Sequence, residues 1–190
     1  MIIGITGKSG AGKSYLSEIL AKELDMIHLD IDKISHEVLE FPDTIAYLHQ
    51  EFGESIFIDE KLNRKALGAI VFNNPEKLQK WNNFCQIQIE KRLDEIILNS
   101  KKSIILDYAL LAQLKQFVLC DIKILLETNF DTRFLRVEKR ENISKDYFVS
   151  RDNSLAPYQK AQFDYVFEDF SQKEIDFILN KLKTMRINND

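Results

Sequence analysis

Ile2-Ile3-Gly4-Ile5-Thr6-Gly7-Lys8-Ser9-Gly10-Ala11-Gly12-Lys13-Ser14 is the stretch that decides the fold. Ile2–Thr6 is short, apolar and rich in β-branched residues, the composition of a buried strand. Gly7 through Ser14 matches G-x-x-x-x-G-K-[ST], the P-loop. Ser14–Leu24 follows, with Leu16, Ile19, Leu20 and Leu24 at helical spacing, and Met26–Leu29 reads as a second strand. Strand, loop, helix, strand is a βαβ opening and predicts a parallel sheet.

The motif's chemistry follows from its residue types. Glycines let the backbone wrap with N–H groups turned inward, forming an anion nest, and the helix that begins near Lys13 adds its positive dipole end. Lys13 reaches the β- and γ-phosphates of a nucleotide, and the Ser14 hydroxyl is a ligand for Mg²⁺. The nucleotide-binding set expected from the sequence is therefore Gly10, Ala11, Gly12, Lys13, Ser14 and Tyr15. Of the six glycines in 190 residues, four fall within the first twelve positions, so unusual backbone freedom is needed in one place.

Working outward, Asp32 to about Ser100 has a helical pattern. Asn74-Pro75-Glu76 is a helix start, with Leu78, Trp81, Cys85, Ile89, Leu93, Ile96 and Ile97 on one face. Ser103–Leu106 and Asp121–Leu126 read as strands, with Asp107 at the C-terminal end of the first. Phe130–Arg140 reads as a helix and Tyr165–Phe167 as a last strand. Ser171 to Glu174 is a capping box for a final helix that carries Ile175, Ile178, Leu179 and Leu182. Strands alternate with helices, so the class is α/β, a parallel sheet flanked by helices.

Composition excludes several partners. The net charge is −4, which gives no global attraction to nucleic acid or anionic membrane. No apolar run is long enough for a membrane span, and the N-terminus is not a signal peptide, so a cytosolic protein is expected. Cys85 and Cys120 form no metal-binding spacing and read as buried thiols.

The chain shows no D-x-x-G with a later N-K-x-D and no LSGGQ, which disfavours a GTPase or an ABC-type ATPase. A small-molecule kinase remains, and it needs an acceptor-side base and a lid with arginines. Asp30 and Asp32 stand just past the second strand, at the edge that faces the ligand crevice in open α/β sheets. Asp32 is the candidate base, while helix capping is an equal reading for Asp30. Arg136 and Arg140 share a helix face, and Arg151 lies beyond them near Asn153, Ser154 and Pro157, a stretch expected to be mobile.

Two further blocks carry a family resemblance. The P-loop followed by Asp30-Ile31-Asp32-Lys33-Ile34-Ser35-His36-Glu37-Val38 resembles dephospho-CoA kinase, whose pattern is GLTGGIGSGKS and then DAD-x-IA-[RH]-x-V. Phe52-Gly53, Asn63 to Phe72, Asn74 to Leu78, the Arg136/Arg140/Arg151 set and Phe163 to Phe167 are also similar to that family. The resemblance implies a P-loop NTPase fold with a core (1–32, 101–139, 161–190), a helical CoA-binding insertion (33–100) and a lid (140–160). It implies transfer of the ATP γ-phosphate to the 3′-hydroxyl of dephospho-CoA, with Mg²⁺. By the match, Asp32, Lys13 and Arg140 are catalytic, and Thr6, Asp32, His36, Arg136 and Arg151 lie on the substrate side. The family's His-Pro is Gln86-Ile87 here, and its Pro-Leu-Leu-x-Glu is Ala109-Leu110-Leu111-Ala112-Gln113. The lid Gln is also absent near Leu155. Another P-loop nucleoside or nucleotide kinase and a non-catalytic nucleotide- or CoA-binding relative are the alternatives.

Overall fold

The computed structural model describes residues 1–153, 155–168 and 170–187; Ser154, part of the stretch expected to be mobile, lies outside them. It begins with β1 (Ile2–Thr6), α1 (Lys13–Glu23), β2 (Ile27–Asp30), α2 (Ile31–Glu37) and α3 (Pro42–Phe52). The short strands β3 (Phe57–Ile58) and β4 (Lys61–Leu62) lead to α4 (Arg64–Val71) and α5 (Pro75–Asn99). Then come β5 (Ile104–Asp107), β6 (Ile122–Glu127), α6 (Phe130–Glu141), α7 (Lys145–Asn153), β7 (Tyr165–Glu168) and α8 (Gln172–Ile187).

Five strands form one sheet in the order β2-β5-β1-β6-β7, and every pairing is parallel. Such strands are buried on both faces, so their sequences are nearly continuous apolar runs. Ile3 and Ile5 of β1, Ile105 of β5 and Ile124 of β6 share a core with Leu16 and Leu20 of α1 and Ile175, Ile178 and Leu182 of α8. On the opposite side of β1, a Cβ added to Gly4 would lie 2.8 Å from Cys120 Sγ and 2.9 Å from Leu111 Cδ2. Glycine at position 4 thus lets the 111–120 segment approach the strand closely.

The chain divides into two compact units, residues 1–30 with 100–190, and residues 31–99. The second unit has its own core of Leu48, Ile56, Leu67, Val71 and Trp81. Tyr47 stacks on Phe84 with ring centroids 3.8 Å apart. Asn74 caps α5 by accepting from Lys77 N at 3.1 Å, with Pro75 as the first helical residue. Of the predicted apolar face of α5, Trp81, Ile89 and Leu93 are buried, and Gln88 joins them.

Three local readings are corrected. The 32–100 region is not helical throughout, because β3 and β4 form a hairpin turned by Asp59 and Glu60 at φ 48° and 63°. The strand edges shift by one residue, so Asp30 and Asp107 are the last residues of β2 and β5. Arg151, beside the stretch expected to be mobile, stands in the last turn of a helix, α7, that the sequence reading did not identify.

Candidate nucleotide site

Around β1 the connections leave the sheet in opposite directions: the β1–α1–β2 unit runs to one side, and β6 and β7 lie on the other. The carboxyl edge at such a switch point is where open α/β sheets bind ligands. The Gly7–Gly12 loop rises from this edge and runs into α1. The N-cap of α1, Gly12, has φ 103° and no side-chain cap, and the first turn holds no acid. The dipole end of α1 is thus left open to an anion.

Ala11 N donates to Lys8 O at 3.1 Å and closes a turn within the loop. Gly10 has φ 80°, and a Cβ there would lie 2.6 Å from the Arg133 carbonyl oxygen, so only glycine fits between the loop and α6. Ala11 is fully buried, while Ser14 and Tyr15 are exposed in the first turn of α1.

Thr6 ends β1 with its side chain fully buried, and its hydroxyl has no hydrogen-bond partner among the described residues. Asp107 ends the adjacent strand, 2% exposed, with its Oδ2 3.2 Å from His28 Nε2. Asp30 is the register partner of Asp107. The edge of the first unit therefore aligns a hydroxyl and two carboxylates across three neighbouring strands.

The arginines divide. Arg136 Nη1 donates to the Gly10 carbonyl at 3.1 Å. With Gly12, Tyr15, Phe170, Ser171, Gln172 and Ile175 it lines a cavity of about 450 Å³ beside the start of α1. Arg140 and Arg151 converge on Glu141, Arg151 at 2.8 Å. Burial alone would raise the Glu141 carboxyl, but hydrogen bonds from Arg140 and Arg151 hold it below its ordinary value. The first unit thus brings Arg136 to the loop and pairs Arg140 with Arg151 through an acid. Asp32 and His36 lie on α2 in the second unit, both exposed.

Sequence reasoning missed three residues of this site, Arg133, Asp152 and His28. Arg133, 6% exposed, donates Nε to Thr128 O at 2.9 Å and Nη1 to Ser9 O at 3.3 Å. It also forms a two-point pair with Asp152 at 2.6 and 3.1 Å. Asp152 Oδ2 in turn accepts from Lys8 Nζ at 3.1 Å. Burial would raise the Asp152 carboxyl, yet the bonds from Arg133 and Lys8 outweigh it and hold the group low. His28 was passed over as an ordinary strand residue. Its i, i+2 spacing to Asp30 was the available signal.

The family model for dephospho-CoA kinase matches residues 1–168. The chain belongs to the dephospho-CoA kinase family. Similar members include the enzyme of Clostridium tetani, 30% identical over 96% of this chain and 79% of its own length. That of Streptococcus pneumoniae is 31% identical over 85% of this chain and 82% of its own. Among solved structures, TT1252 from Thermus thermophilus has a TM-score of 0.79 at 23% identity, covering 100% of this chain and 97% of that one. Dephospho-CoA kinase from Campylobacter jejuni scores 0.61 at 22% identity, over 97% and 96% of the two chains. Shikimate kinase from Bacteroides thetaiotaomicron scores 0.54 at 17% identity, with 97% of both chains covered. These structural likenesses carry the fold, and membership of the dephospho-CoA kinase family rests on the sequence match.

Proposed function

We propose that this chain is a kinase that transfers the γ-phosphate of ATP to the 3′-hydroxyl of dephospho-CoA, giving coenzyme A and ADP. The observation that carries the reading is the dephospho-CoA kinase family match over residues 1–168, which spans both the P-loop and the helical unit. It favours neither a nucleoside kinase nor a non-catalytic relative.

The roles of individual residues are part of this proposal. Gly10, Ala11, Gly12 and Lys13 hold the ATP phosphates, with Lys13 at the β/γ bridge. Ser14 is exposed directly after Lys13, and its hydroxyl is a hard oxygen donor suited to Mg²⁺. An ion held there with ATP would supply neutralisation of phosphate charge. Tyr15 and Phe170 give the 450 Å³ cavity two aromatic side chains, a lining that suits a flat nucleobase.

Asp32 takes the proton of the acceptor hydroxyl as its oxygen attacks the γ-phosphorus, and the bond to the β-phosphate oxygen breaks to release ADP. Thr6, whose buried hydroxyl has no hydrogen-bond partner among the described residues, and His36 are taken to lie on the substrate side. Arg140, Arg136 and Arg151 spread positive charge over the transferring group when the 140–160 segment closes as a lid. Residues 33–100 hold the dephospho-CoA. A cytosolic location is part of the same proposal.

An acceptor panel tests the reading. With ATP and Mg²⁺, ADP release is expected with dephospho-CoA and at background level with nucleosides or nucleoside monophosphates. Release driven only by nucleosides would contradict it.

A further inference from the structure

Three consecutive carbonyls on the outer face of the P-loop are held from the side of β6 and α6. Ser9 O accepts from Arg133 Nη1 at 3.3 Å, Gly10 O from Arg136 Nη1 at 3.1 Å, and Ala11 O from Thr128 Oγ1 at 3.1 Å. In a trans peptide the C=O of one residue and the N–H of the next point in opposite directions. Fixing these carbonyls outward therefore turns the N–H groups of Gly10 and Gly12 to the other side, where a phosphate would sit, while the Ala11 N–H closes the turn on Lys8 O.

One of the three tethers depends on a residue from far along the chain. All three nitrogens of the buried Arg133 guanidinium are engaged, and Asp152 in the last turn of α7 takes two of them. The same Asp152 also engages Lys8, the second residue of the loop, through both its carboxylate and its backbone oxygen at 3.1 Å. The Asp152 side chain is only 11% exposed, so these are shielded, charge-assisted contacts and not a solvated surface pair.

We propose that Asp152 is a positioning residue for phosphate binding, acting through Arg133 and Lys8 to hold the P-loop with its amides facing the nucleotide. The inference rests on the P-loop of this chain binding nucleotide phosphates. It makes a prediction opposite in sign to simple electrostatics. A carboxylate near a phosphate site repels the ligand, so removing its charge would tighten binding if charge alone mattered. If Asp152 positions the loop, removing that charge weakens binding, because Arg133 and Lys8 lose their shared anchor.

The test is calorimetric titration with ADP and Mg²⁺, without acceptor, on the wild-type chain, Asp152→Asn and Asp152→Glu, each with a thermal melt. Asp152→Asn should bind ADP about tenfold more weakly, the scale of one lost charge-assisted contact. Asp152→Glu, which restores the charge, should recover affinity to within about threefold of wild type. In turnover assays the defect should fall on the KM for ATP and leave the KM for the acceptor unchanged. If Asp152→Asn does not fold, Lys8→Met breaks one arm on a part-buried residue and should still weaken ADP by about threefold. Unchanged or tighter ADP binding in the folded Asp152→Asn variant, or unchanged binding in Lys8→Met where Asn cannot be measured, overturns the proposal. A wild-type chain that does not bind ADP would overturn the nucleotide reading itself, and this proposal with it.

Discussion

Gly10 joins two demands in one residue, a φ of 80° and a gap too small for a methyl group against the Arg133 carbonyl. Gly10→Ala should therefore cost about 2 kcal/mol or more of stability and abolish tight nucleotide binding; a melt and an ADP titration on one sample check both. Asp32→Asn should lower turnover at least ~100-fold with near-normal ATP affinity, the signature of a lost general base; a near-wild-type rate would remove Asp32 from that role. At this scale the sequence was most legible where function is local. Lys13 and Ser14 are read from eight adjacent residues. Arg133 and Asp152 were not readable, because their partners Ser9 and Lys8 lie 124 and 144 positions away and no periodicity links them. Arg136 was visible as a charge on a helix face, but its hold on Gly10 O was not.

Elements with strong end signals were legible. Asn74-Pro75 opens α5 as its residue types require, and Ser171 N–H donates at 3.0 Å to Oε2 of Glu174, which reaches back to accept it, as a capping box predicts. Ser171→Ala should cost about 1 kcal/mol, read as a lower Tm with unchanged ADP affinity. The β3–β4 hairpin was missed because Asp59-Glu60 adopts two positive φ values without the glycine that usually marks such a turn. Helix α7 was missed because its apolar residues follow no single stripe, and only Phe148 is buried. Phe148, against Phe130 and Phe134, and Asp152, through Arg133 and Lys8, both hold α7, and the second gives a pH signature. Its carboxyl is held below the ordinary value in the folded chain, so its stabilisation is fully present above the unfolded-state value and is lost as pH falls through the lowered folded one. The stability difference between the wild type and Asp152→Asn should thus stay constant from about pH 7 to 5 and close only below about pH 4, measured by urea titrations across that range.

For the whole molecule, the class and the parallel sheet followed from alternating strands and helices, but the strand order did not. β5 enters the sheet between β2 and β1 only after the entire 31–99 unit has intervened, a pairing that no local pattern encodes. Cys120 is buried as expected, whereas Cys85 is only half-buried. Burial pushes both Cys85 and Cys120 up to about 12, so alkylation at pH 8 should be far slower in the native chain than in urea. The central claim, that a P-loop core and a helical unit together phosphorylate dephospho-CoA, is tested most directly by phosphorus NMR of the product. With ATP, Mg²⁺ and dephospho-CoA, a new phosphomonoester signal on the ribose 3′-oxygen should grow in step with ADP. ADP formation without that signal, or a phosphate placed on any other acceptor oxygen, would contradict the account.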